Sequence, residues 1–174
     1  MRSVLATAAI AVGFPSLLSA EEIGQVNAEF DGEQRQWFTI AVKRGDEQAM
    51  TASFKNSKRL SSLTVQGHPE ARFTTKDVLS VNADWFGEYA PGKAPVSVEI
   101  LYFPVGMSGP FYTTDQVPDA PVLTIESLDL GSEPGYVAGT FAGRLCAVPK
   151  LYEEPDLNDC KAMSGRFDTA VRLR

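Results

Sequence analysis

Residues 166–173 read RFDTAVRL, and apolar and polar side chains alternate along them. Phe167, Thr169, Val171 and Leu173 share one face of the extended chain, and charged or small residues separate them. A period of two is the pattern of a β-strand with one buried face. The segment therefore predicts a half-buried strand, and this indicates the fold class.

The same alternation runs through residues 34–42, and the preceding Asp31-Gly32 predicts a hairpin turn from a strand over residues 26–30. Further strands are predicted over residues 49–54, 63–66, 78–83, 96–103, 122–128 and 136–145. No window after residue 20 repeats its apolar side chains at helical spacing. The sequence predicts an all-β fold, an antiparallel β-sandwich of about nine short strands, with a closed β-barrel as the alternative.

The N-terminus has the layout of a secretory signal peptide. Arg2 precedes an uncharged apolar stretch over residues 4–18, and small residues follow at Ser19 and Ala20. The stretch is shorter than the roughly 20 apolar residues of a membrane-spanning helix. We expect cleavage after Ala20, which leaves residues 21–174 as a single all-β domain exported to a periplasm or to the extracellular space.

The charge balance disfavours polyanionic partners. The formal net charge is −6, and it becomes −7 when Arg2 leaves with the signal peptide, because no acidic residue leaves with it. Such a surface repels nucleic acid and anionic lipid. No later apolar run is long enough to span a membrane. We expect no nucleic-acid partner and no membrane span, and the oligomeric state stays open.

The two cysteines, Cys146 and Cys160, predict one disulfide bond in an exported chain. Oxidation removes any thiolate nucleophile or thiolate metal ligand. Between them, residues 153–159 are rich in carboxylates that could surround calcium. The spacing is not that of an EF-hand loop and the central glycine is missing, so an acidic solvated loop is the preferred interpretation and no metal site is assigned.

The segments GYVAGTFAGRLC and CKAMSGRFDTAVRL, residues 135–146 and 160–173, share a short motif. Their Gly-x-Phe-x-Gly strand followed by a Gly-x-Phe-Asp strand resembles the closing strands of bacterial exported and lipoprotein β-sandwich domains of unknown function. The resemblance implies a sandwich and no catalytic residue. Gly139 and Gly143 share a face with Phe141, where they either make room for a large neighbour such as Trp37 or Trp85, which is preferred, or admit a ligand.

The catalytic repertoire is narrow. His68 is the single histidine, so a site of several imidazoles is excluded and any Ser-His-Asp triad must include it. No Gly-x-Ser-x-Gly elbow presents a nucleophile, and His68 is predicted to lie in an exposed turn. No cofactor is expected. Paired carboxylates stay open, because their separation is set by the fold.

Two long connections, residues 84–95 and 104–121, are the predicted functional loops. They carry the candidate ligand-binding aromatics Trp85, Phe86, Tyr89, Phe111 and Tyr112. Aromatic rings on loops either bind sugars, peptides and apolar surfaces or plug the open end of a sandwich. The plug is the preferred interpretation, and the binding surface is the alternative that gives the chain a function.

Two functions follow. The first is an exported, non-catalytic binding or interaction module whose partner is an unknown protein or envelope component. The second is a cofactor-independent hydrolase of an exported polymer that uses paired carboxylates. A deep cleft with two facing carboxylates favours the hydrolase, whereas a flat or convex aromatic patch favours binding.

Overall fold

The computed structural model describes residues 20–44 and 47–174, and in this part of the chain every regular element is a strand. The strands are β1 (Ala20–Phe30), β2 (Glu33–Arg44), β3 (Glu47–Met50), β4 (Ala52–Lys55), β5 (Leu60–Gly67), β6 (Val78–Phe86), β7 (Ser97–Phe103), β8 (Phe111–Thr113), β9 (Val122–Asp129), β10 (Gly135–Val148) and β11 (Asp156–Leu173). The all-β class is confirmed. Apart from Ala20, the predicted signal peptide lies outside the described residues. Within them no helix could cross a membrane.

The eleven strands form one mixed sheet rather than two separate sheets. Their order is β3-β2-β1-β11-β4-β5-β6-β7-β8-β10-β9, and β11 also pairs with β10. The pairs from β4 through β8, β10 and β11 therefore make a closed circuit around one core. The pairing of β4 with β11 is parallel, where an antiparallel sheet was predicted.

The predicted hairpin between β1 and β2 is confirmed. Phe30 pairs with Glu33 across the two intervening residues. Asp31 and Gly32 both have positive φ, 55° and 83°. Two successive positive φ angles define the type I′ turn, whose twist matches the twist of the flanking strands.

Residues 49–54, predicted as one strand, are divided between β3 and β4 at Thr51. The Thr51 N–H donates to the Ile40 carbonyl of β2 at 2.9 Å, whereas the Thr51 carbonyl accepts from the Gln66 N–H of β5, also at 2.9 Å. The chain thus leaves one partner strand and joins another at a single residue. Local alternation continues through this point, so the sequence pattern does not reveal the change of partner.

The side chains that alternation predicts on the inner face of β10 are buried in the core. Val137, Phe141 and Leu145 of β10 are buried. A Cβ added at Gly139 would lie 2.8 Å from Phe167 Cζ, and one at Gly143 would lie 3.2 Å from Ile100 Cδ1. The glycines therefore make room for close neighbours, which also include the Thr124 carbonyl at Gly139 and both Thr114 and Pro121 at Gly143, and neither tryptophan is among them.

The predicted exposed turn at His68 is wrong, because His68 is 0% exposed. Its backbone N–H donates to the Phe38 carbonyl at 2.8 Å, and its own carbonyl accepts from the Phe38 N–H at 2.7 Å. The Thr74 N–H lies 3.3 Å from His68 Nδ1, and the Phe73 ring lies beside the imidazole. A pairing with β2, remote in sequence, buries a residue that its local context places in a turn.

Candidate ligand-binding cleft

An open cleft of about 660 Å³ lies between the β6–β7 connection and the start of β9. Residues 92–98 line one side, residues 120–125 line the other, and the rings of Trp85 and Tyr89 also contribute. This volume is in the range of small-ligand sites. Both predicted functional loops thus meet at one cleft, although only part of each loop reaches it.

Internal hydrogen bonds brace the β6–β7 connection. Trp85 Nε1 donates to the Lys93 carbonyl at 3.0 Å. The Lys93 ammonium donates to the Phe86 carbonyl and, at 2.9 Å, to the Glu88 carbonyl. Gly87 has a φ of 71°, a conformation that glycine adopts without steric cost. The connection is therefore a preformed wall whose one lysine is already engaged.

The opposite wall is formed at β9, which lies along the same side of β10 as β8. Thr113 of β8 pairs with Cys146, and Val122 of β9 pairs with Ala142, so the two strands lie in line along β10. β8 also pairs with β7, whereas β9 pairs with no strand other than β10 among the described residues. The outer edge of β9 therefore faces the cleft on the side of β7.

The lining is mainly apolar, with Lys93, Ser97 and Thr124 among its polar side chains. Val96 and Val122, on opposite walls, are 48% and 61% exposed, which leaves two branched aliphatic side chains open to solvent. The Tyr89 ring packs against Trp85 and Phe54, with centroid distances of 5.2 and 5.8 Å. Burial raises the pKa of the Tyr89 phenol, so it is neutral at physiological pH. Lys93 is the one charged side chain of the lining, and no carboxylate contributes to it.

The five predicted aromatic residues do not form one surface. Trp85 is 1% exposed and lines the cleft with Tyr89, whereas Phe86, which is 69% exposed, lies outside the lining. Phe111 and Tyr112 belong to β8, which divides the predicted loop over residues 104–121. The Phe111 ring stacks on Phe103 and the Tyr112 ring meets Phe30 edge-on, at 5.3 and 5.4 Å between centroids.

Val96, Val122 and Ile125 are cleft residues that the sequence did not single out. The only local signal is the uncharged run Val-Leu-Thr-Ile between Pro121 and Glu126. That run predicts a strand, but whether the strand is central or at an edge depends on pairings elsewhere in the chain.

Polar clusters outside the cleft have structural partners. The Tyr102 hydroxyl donates to Asp77 Oδ1 at 2.9 Å and accepts from Arg35 Nη1 at 2.6 Å. Burial, with the Asp77 hydrogen bond, raises the pKa of Tyr102. In the predicted acidic loop, Asp156 Oδ1 accepts from the Asn158 N–H at 2.9 Å. Across residues 20–44 and 47–174, no three His, Cys, Asp or Glu side chains are placed to hold a metal ion.

The described residues form an all-β fold with a braced, mainly apolar groove beside a strand edge that has no strand partner among them. Comparisons of the chain with protein-family models, curated proteins and solved structures give no match. The geometry of the cleft therefore carries the functional argument.

Proposed function

We propose that this protein is an exported, non-catalytic binding module that holds a partner protein or an envelope component in the cleft between residues 92–98 and 120–125. The observation that carries the proposal is the lining, which combines exposed aliphatic side chains with two aromatic rings and contains no carboxylate. Burying such a surface against a partner lowers the free energy, because its apolar groups leave water.

Bracing of the β6–β7 connection supports binding. A wall already held by the Trp85 and Lys93 hydrogen bonds loses little conformational freedom when a partner docks. Preorganisation of this kind raises affinity because less ordering entropy is lost. Burial of Val96 and Val122 against the partner then stabilises the complex, and little loss of conformational entropy opposes it.

Export is part of the proposal. The Cys146–Cys160 disulfide bond is compatible with an oxidising compartment. The charge and apolar order of residues 1–20 predicts a route to that compartment. The resemblance of residues 135–173 to exported sandwich domains points the same way.

Hydrolysis by paired carboxylates is the weaker alternative. That chemistry needs two carboxyl groups facing each other across the substrate, about 5 to 10 Å apart. The lining of the cleft supplies none, so a polymer held there would not meet an acid and a base. Binding is the function that this lining favours.

Site-specific photocrosslinking tests the proposal. A photoreactive phenylalanine analogue at Val122, in protein exported by its native cell, is expected to give a discrete covalent adduct with an envelope component. The matched position is Phe73, which is similarly exposed and lies outside the cleft. An adduct absent at Val122, or formed equally at Phe73, contradicts binding in the cleft.

A further inference from the structure

The free edge of β9 presents unpaired backbone groups to the cleft. On its other side β9 is paired with β10 from Val122 to Asp129. Alternate N–H and C=O groups of any strand point away from its neighbour. Those of β9 that point away from β10 have no strand partner among the described residues. An unpaired edge is a template on which another extended chain forms a ladder of hydrogen bonds.

The edge of β9 is regular where it meets the cleft. Residues 122–125 pair one by one with β10, and the register shifts after Ile125, between Ala138 and Gly139. Proteins usually protect edges with lysines, prolines or bulges. Here Pro121 and the bulge lie just outside residues 122–125, which contain no charge at all. The unprotected part of the edge therefore coincides with the part that lines the cleft.

Acidic residues flank the cleft lining in the sequence, although none of them is part of the lining. Residues 84–99 and 115–129 together contain seven acidic residues and one basic residue, Lys93. The acids are Asp84, Glu88, Glu99, Asp115, Asp119, Glu126 and Asp129. Two positive charges oppose these carboxylates: Arg144 lies 3.4 Å from Asp119, and Lys93 lines the cleft and keeps its charge while it donates to backbone carbonyls. A negative field flanking a groove attracts positive charge on a ligand and repels negative charge.

This field also selects between occupants. A second copy of the chain pairing edge to edge would bring together two molecules that each carry a formal net charge of −6 and have Glu126 and Asp129 on the pairing strand. Like charges placed opposite one another across paired strands are destabilising. An extended segment with lysine or arginine at alternate positions meets the same edge without that cost.

We propose that the cleft binds an extended cationic peptide segment, which adds to residues 122–125 of β9 as a further strand. Alternate apolar side chains of the peptide enter the groove beside Val96 and Val122, and the basic side chains between them are attracted by the carboxylates that flank the lining. The inference rests on the proposed binding function and specifies its partner.

Three synthetic peptides of about ten residues, enough to span a typical strand, test the inference by titration calorimetry. The first alternates valine and lysine, the second alternates valine and glutamate, and the third is the first with every second amide N-methylated. The first is expected to bind at low salt, and the other two at least about tenfold more weakly. Hydrogen exchange at residues 122–125 is expected to slow when the first peptide binds.

The matched protein variants are Thr124→Lys and Tyr152→Lys. Both positions are exposed, and both variants add one positive charge, but only Thr124 lies on the β9 edge in the cleft. Thr124→Lys is expected to weaken binding of the valine-lysine peptide at least about tenfold, whereas Tyr152→Lys leaves it within about twofold.

Equal binding of the glutamate peptide overturns the charge preference, and equal binding of the N-methylated peptide overturns strand addition. If no peptide binds but the photocrosslinked adduct at Val122 forms, the peptide inference fails and the binding module stands. If neither peptide binding nor the adduct is observed, both proposals fail.

Discussion

At the scale of single residues, Tyr89 serves the core as well as the cleft. Its ring packs on Trp85 and Phe54 and is partly buried. We expect Tyr89→Ala to lower the free energy of unfolding by about 2–3 kcal/mol, less than the loss for a fully buried ring. Urea denaturation measures this loss. Phe86→Ala is the control, because its exposed ring predicts a change within about 0.5 kcal/mol. If Tyr89→Ala leaves the free energy of unfolding unchanged, the Tyr89 ring is a surface residue and does not support the core.

His68 makes stability depend on pH. Burial lowers the pKa of His68 below its ordinary value of 6.5, so the unfolded chain binds a proton that the folded chain rejects. The contribution of neutral His68 to the free energy of unfolding is therefore fully present above about pH 6.5, and it decreases as the pH falls below that value. Urea midpoints between pH 7.5 and 5.5 measure the slope. His68→Gln removes the only histidine, so an equal slope in that variant would contradict the assignment.

These two residues show where sequence reasoning stops. Tyr89 was recognised as an aromatic on a functional loop, but its packing on Phe54 joins positions remote in the chain. His68 was placed in a turn, yet its pairing with Phe38 buries it. In both cases the local pattern identifies the residue, and a long-range contact decides its environment.

At the scale of elements, the Cys146–Cys160 disulfide bond joins directly paired residues of β10 and β11. Replacing both cysteines with alanine is expected to lower the free energy of unfolding by about 3 kcal/mol, because the unfolded chain regains the freedom of a loop of about 15 residues. Urea denaturation with and without reductant measures it. Reductant should destabilise the parent and leave the double variant unchanged. Free thiols in the unreduced, denatured parent would contradict the bond.

Alternation predicted β10 well, because Val137, Phe141 and Leu145 share the face that it presents to the core, whereas the alternation of β9 is interrupted by the bulge after Ile125. The sequence missed β8, whose three residues follow a connection rich in glycine and proline. It also missed the polar start of β11, where Asp156 pairs with Ala147 of β10. β9 has a free edge because no strand of the described ranges other than β10 pairs with it, and no local pattern encodes this.

At the scale of the whole molecule, the parallel pairing of β4 with β11 closes the circuit of strands. Arg172 pairs with Ser53, Leu173 pairs with Phe54, and the Arg174 N–H donates to the Phe54 carbonyl at 3.0 Å. The C-terminus thus joins β4 by backbone pairing, and alternation within either strand did not predict this.

Deleting residues 172–174 is expected to open this junction. The loss combines backbone hydrogen bonds, each worth about 1 kcal/mol, with partial exposure of the apolar surface around Leu173, so we expect about 2–4 kcal/mol less free energy of unfolding. Hydrogen exchange should accelerate first in β4, whose other partner is β5. The side-chain controls are Arg172→Ala and Arg174→Ala, both at exposed positions. They retain the backbone pairing and should stay within about 0.5 kcal/mol of the parent. If the deletion costs no more than these controls, or if exchange accelerates uniformly over the sheet, the β4–β11 pairing does not hold the circuit closed.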